Sequence, residues 1–191
     1  MSEIKGHLEI LKKYRNGDTV VVEDDHNVIV SGMGLTLNLL FSGSGSSNIT
    51  DYQISKAQIG SGTAGTEVSS TYRLYEATPS VAMYTSGNSN VNAELGTQYL
   101  TNNTTSATQA FINIPHSKIS RVAKNAVRYQ IVLDETPLDG HDLREIGLFS
   151  KNPQGTPEPR SVLVAYKRFG GTSGIKKSSD FSLLFNWTLT F

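Results

Sequence analysis

The 191-residue chain balances seventeen Lys and Arg against seventeen Asp and Glu, so it lacks the basic excess with which duplex nucleic-acid binders displace counterions. It has no cysteine, which excludes disulfide frameworks, thiolate nucleophiles and cysteine-ligated zinc. Only 18% of its residues are charged, against about 25% in typical domains, and Ser, Thr, Asn and Gly fill the difference.

The opening Met-Ser-Glu-Ile-Lys-Gly-His lacks the apolar stretch of a secretory signal. No apolar run approaches the ~20 residues of a membrane span. The expectation is one β-rich domain over 1–191, made in a cytoplasm and not inserted in a bilayer. Zero net charge offers little self-repulsion and suits a subunit that packs against others.

Residues 1–24 read as a hairpin. Leu8 and Ile10 alternate with polar neighbours, Asn16-Gly17 is a turn pair, and Thr19 to Val22 is β-branched. Ile4, Leu8 and Leu11 also fit a helical stripe, the rival reading. After the polar Glu23-Asp24-Asp25-His26 comes a short strand, Asn27 to Val30. Ser31 is then a plausible N-cap for a helix near 32–41 that puts Met33, Leu37, Leu40 and Phe41 on one stripe. Ser42 to Ser47 stops it as a Gly/Ser loop.

Tyr52 to Ile59 reads as a strand, Gly60 to Ser70 as a turn region, and 71–84 as further extended segments. Residues 85–106 are polar and low in complexity, a loop-rich insertion. Ala110 to Ile114 alternates until Pro115, and Val127, Tyr129, Ile131 and Leu133 form a period-two face. A turn at Asp139-Gly140 precedes short strands at Glu145 to Phe149 and Val162 to Tyr166.

The last strand has the clearest pattern. Phe181, Leu183, Phe185, Trp187, Leu189 and Phe191 point one way, and Ser182, Asn186, Thr188 and Thr190 the other. Burying that stripe is worth on the order of 10 kcal/mol before entropy is subtracted. Its expected partners are Glu145 to Phe149 and Val162 to Tyr166, in its own subunit or a neighbour's. Many short strands with one helix predict an antiparallel β-sandwich or barrel-like domain.

The candidate chemistry is sparse. Gly60-Ser-Gly62-Thr-Ala-Gly65 matches G-x-G-x-x-G, but the β-branched, hydroxyl-rich residues after it make a poor helix start, so a turn is expected rather than a dinucleotide site. Asp24, Asp25 and His26 are adjacent on a strand and face opposite sides, which prevents convergence on one ion. Asp139, His141, Asp142 and Glu145 form the densest ionisable cluster, with Glu145 expected to pair with Arg144 or Arg168. The sequons at Asn48, Asn102, Asn103 and Asn186 read as chance. No catalytic residue, cofactor site or metal site is expected.

Four segments, taken together, resemble a broad group of tailed-bacteriophage virion proteins of the tail, baseplate and neck-fibre type. They are His26-Asn-Val-Ile-Val30 with Gly32 and the Leu-rich helix, Ala57-Gln-Ile-Gly-Ser-Gly62, Leu143-Arg-Glu-Ile-Gly-Leu-Phe149, and Ala165-Tyr-Lys-Arg-Phe169 with Ile175-Lys176 and the closing aromatic strand. Their structural signature falls here on His26, Asn27, Gly60, Gly62, Glu145, Gly147, Phe149, Arg168 and Trp187. The resemblance implies a non-enzymatic homo-oligomeric subunit of the virion that contacts other virion structural proteins or anchors fibres, with no nucleic acid or membrane partner. The other class weighed is a carbohydrate-binding β-sandwich at a receptor-binding tip, with Tyr72, Tyr84 or Tyr99 stacking on a glycan.

Overall fold

The computed structural model describes residues 4–60, 91–94, 97–100, 112–135, 138–140, 142–155, 161–171 and 173–191. The chain begins with the expected hairpin, β1 (Lys5–Tyr14) and β2 (Thr19–Ile29). Its turn works because Gly17 takes φ +93°, while the Asn16 side-chain Oδ1 accepts from the backbone N–H of Asp18. One helix, α1 (Ser31–Ser42), follows and ends at Gly43 in the left-handed region. A 3-10 turn (Ile49–Tyr52) leads into β3 (Ile54–Gly60).

Within the segment read as a loop, β4 (Val91–Glu94) and β5 (Thr97–Leu100) pair as a hairpin. Then come β6 (Ile112–Asn113), β7 (Ile119–Ala123), β8 (Ala126–Leu133), β9 (Asp142–Leu143), β10 (Glu145–Ser150), β11 (Val162–Arg168), β12 (Ile175–Lys176) and β13 (Phe181–Thr190).

The protein is mainly β, and every strand pairing among the described residues is antiparallel. Nine strands join in the order β6-β3-β10-β11-β2-β1-β13-β8-β7. β2 serves both halves of this series. Thr19 to Asn27 pair with β1, with a register shift at Val22, and Val28 and Ile29 pair with Tyr166 and Ala165 of β11. The sheet thus folds over at β2 into a sandwich. β6 and β7 stay at opposite ends of the order and do not meet, so it does not close into a barrel.

The core lies between the two halves. In one, Ile10, Phe185 and Ile131 stand side by side across β1, β13 and β8, and Leu8, Trp187 and Tyr129 form the next row. The other half supplies Ala57, Ile59, Ile146, Leu148, Val164 and Ala165 to the same cluster. The Phe169 and Phe185 rings meet at 6.0 Å between them.

Five expectations need correction. β13 pairs with β1 and β8, not with β10 or β11, and it fills the centre of its own subunit's sheet. Its last residue, Phe191, is 40% exposed and not part of the buried stripe. β2 runs unbroken through Glu23 to His26. Val30, not Ser31, is the N-cap, with no side-chain hydrogen bond, and Phe41 is 82% exposed.

Charge on β2 is tolerated because it is answered. Register puts Glu23, Asp25 and Asn27 on the face shared with Ile10, Leu8 and Gly6. The Lys167 ammonium bonds Asp25 at 2.5 Å and lies 3.8 Å from Glu23, and the Gly170 N–H donates to Glu23. The hydrogen bond from Lys167, with the one from the His26 backbone, holds the Asp25 carboxyl below its ordinary range.

Candidate functional site

The signature residues come together in two places, and both are built from strand register. On the outward face of the second half, Gly60, Glu145 and Arg168 align across β3, β10 and β11, and Gln58, Gly147 and Tyr166 form the adjoining row. Glu145 is 1% exposed, and its Oε2 accepts a 2.6 Å hydrogen bond from the Tyr166 hydroxyl. Burial first, then the adjacent Glu145 carboxyl, push the Tyr166 phenol well above its usual range. Phe149 continues this face and is fully buried. Arg168 stands opposite Glu145, as one of the two expected pairings requires, whereas Arg144 lies 3.9 Å from Asp142. A buried carboxyl held by a phenol is suited to locking strand register.

The second place is the seam between β1, β2 and β13. Trp187 is fully buried, and its indole Nε1 donates to Asn27 Oδ1 at 2.8 Å. Asn27 reaches it by lying across Gly6, where an added Cβ would fall 2.0 Å from Asn27 Oδ1. His26 points to the other side of the strand. Its ring meets that of His7 edge-on at 5.7 Å, and His7 Nε2 lies 2.8 Å from Asp24 Oδ1.

The other candidates do not assemble. Asp142 is exposed on β9 while Glu145 is buried on β10. Gly62, Gly65, His141, Tyr72, Tyr84, Asn102 and Asn103 lie outside the described residues, as does the side chain of Tyr99. Asn48 accepts from the Thr50 N–H and hydroxyl to start the 3-10 turn, and Asn186 bridges Glu9 and Gln130 across three strands. Among the described residues no group of three His, Asp or Glu side chains could hold a metal ion, and no helix is long and apolar enough to cross a membrane.

Two features were missed in the sequence. Lys177 is fully buried between β12 and β13, donating to the carbonyls of Glu135, Ser178 and Phe181 at 2.6, 2.6 and 2.8 Å. Burial lowers its pKa, and the carboxylates of Asp139, Glu135, Asp134 and Asp180 oppose that shift. The Ser178 and Phe181 carbonyls are local, but the Glu135 carbonyl lies 42 positions back in the chain, so no local pattern announces the whole contact.

The other is an apolar cavity of about 220 Å³ beneath the helix. Met33, Leu37 and Leu40 of α1 wall one side, and Ile54, Ile119 and Tyr129 the other. Phe191 stands at its border with His116 and Gln53. Burial pushes the Tyr129 phenol up to about 12. The sequence signal was the later part of the helical stripe, where Leu37 and Leu40 line the cavity and Phe41 is exposed. No protein-family model matches the chain, and neither does any curated protein or solved structure.

Proposed function

We propose that the chain is a non-enzymatic structural subunit, of the tail, baseplate or neck type of virion protein that its four segments resemble. It works by contact with other protein subunits.

The observation that supports this most directly is how the polar signature residues are used. Asn27 serves Trp187, and Glu145 serves Tyr166, so the groups that could do chemistry are engaged in holding strands together. What opens to the surface is an apolar cavity lined by Leu37 and Leu40, and Phe41, the next residue of the same helix, is exposed. Surfaces of that character mark protein contacts more than turnover sites. Mass spectrometry of purified virions is the test: the chain is expected among the particle proteins, and its absence sinks the proposal.

A further inference from the structure

We propose that α1 is a homodimer interface, in which Phe41 of each copy enters the cavity of the other across a two-fold axis. This deepens the reading of the chain as a self-assembling subunit and rests on it.

The first observation is charge. Between Asp25 and Asp51 the sequence has no Asp, Glu, Lys or Arg, although 18% of the whole chain is charged. This run contains all of α1. A helix on a protein surface ordinarily carries charge on its outer face, and one without it is normally covered. Here one side, Gly32, Met33 and Thr36, packs inward, while Leu35, Leu37, Leu39 and Leu40 are only half-buried. Phe41 is 82% exposed and Ile49, just past the helix, 65% exposed. Depletion of charge with an exposed aromatic residue is the composition of an interface centre.

The second observation selects the occupant. The cavity is walled by Leu37 and Leu40, and the protruding ring belongs to the next residue of the same helix. A projection and a recess side by side on one element are self-complementary under a two-fold rotation, since each copy then offers both parts to the other. A space of about 220 Å³ with largely apolar walls is of the size to take one aromatic side chain. A second copy also brings no like charge against this face, because the facing helix has none.

The rival surface, the edge of β7, is less suited. It is short, and Arg121 covers its end by donating to the carbonyls of Ala123 and Lys124, as protected edges do.

The test is sedimentation velocity of the full chain over a range of concentrations, for the wild type and Phe41→Glu. A monomer–dimer equilibrium is expected, with Phe41→Glu raising the dimer Kd by roughly a hundredfold or more. Because Phe41 is exposed, circular dichroism and the unfolding midpoint of the monomer should not change. Because the chain has no cysteine, Asn38→Cys, one turn from Phe41, should give a covalent dimer on mild oxidation, and Lys124→Cys should not. A wild type that stays monomeric overturns the inference, as does a dimer indifferent to Phe41→Glu or one that oxidation traps equally well at residue 124. Dimerisation through α1 with the chain absent from virions would reject the virion reading alone, and the chain in virions without this dimer would reject this inference alone.

Discussion

The indole of Trp187 and the side-chain amide of Asn27 meet across three strands, Nε1 to Oδ1 at 2.8 Å, and they do so only because Gly6 leaves the space between them empty. An indole N–H buried at the centre of a sandwich costs heavily if it has no acceptor. Asn27→Leu is therefore expected to destabilise the protein by roughly 1–3 kcal/mol. Gly6→Ala displaces the same amide and should cost a comparable amount. The double variant should lose less than the sum, since both act through one contact. Urea unfolding followed by the fluorescence of the single tryptophan measures all three.

Glu145 and Tyr166 form a second such contact. Tyr166→Phe removes a charge-assisted hydrogen bond to the buried carboxyl, with an expected loss of about 1.5–3 kcal/mol. A double-mutant cycle with Glu145→Gln should show coupling of about 1 kcal/mol or more. Additive losses would mean that the 2.6 Å hydrogen bond contributes nothing of its own.

Alkali should unfold the protein through its buried phenols. Tyr129 is pushed to about 12 from an ordinary value of 10.0, and Tyr166 moves the same way. Between those pH values the folded state keeps a proton that the unfolded state has lost, so stability falls as pH rises. For Tyr129 alone the loss from pH 10 to 12 is roughly 2 kcal/mol. Tyrosinate absorbance should show these phenols ionising late and together with unfolding, and Tyr129→Phe should flatten the decline.

Lys177→Met tests the buried ammonium. The methionine fills the volume but offers no donor to the three carbonyls of Glu135, Ser178 and Phe181. A loss of roughly 3–5 kcal/mol is expected in chemical denaturation. A change under 1 kcal/mol would show that water satisfies those carbonyls equally well.

Elements whose one face meets core and other face meets solvent were legible in the sequence, because period-two alternation encodes that situation directly. The hairpin across Asn16-Gly17, the face of Tyr129, Ile131 and Leu133, and the stripe of β13 are of this kind. β2 was cut short because Glu23, Asp25 and Asn27 share the face of Ile10, Leu8 and Gly6, where a local pattern demands apolar residues. Their partners, Lys167, Gly170 and Trp187, lie more than a hundred positions away. The partners of β13 were misassigned for a related reason. Alternation tells which face of a strand is buried but not which neighbour lies beside it. In the candidate site, the burial of Glu145 was readable from its apolar neighbours, whereas its hydrogen bond to Tyr166 depends on the register of β10 against β11.

The pairing of β13 with β1, in which Thr190 faces Lys5, has a consequence for how the protein is made. While β1 and β8 are already outside the ribosome, the strand that belongs between them has yet to be synthesised. Each of the two then presents an unpaired edge beside a bare apolar face, the condition in which nascent chains associate wrongly. The sheet can close only when residues 181–190 arrive, and a polypeptide released just before them would keep a slot the width of one strand.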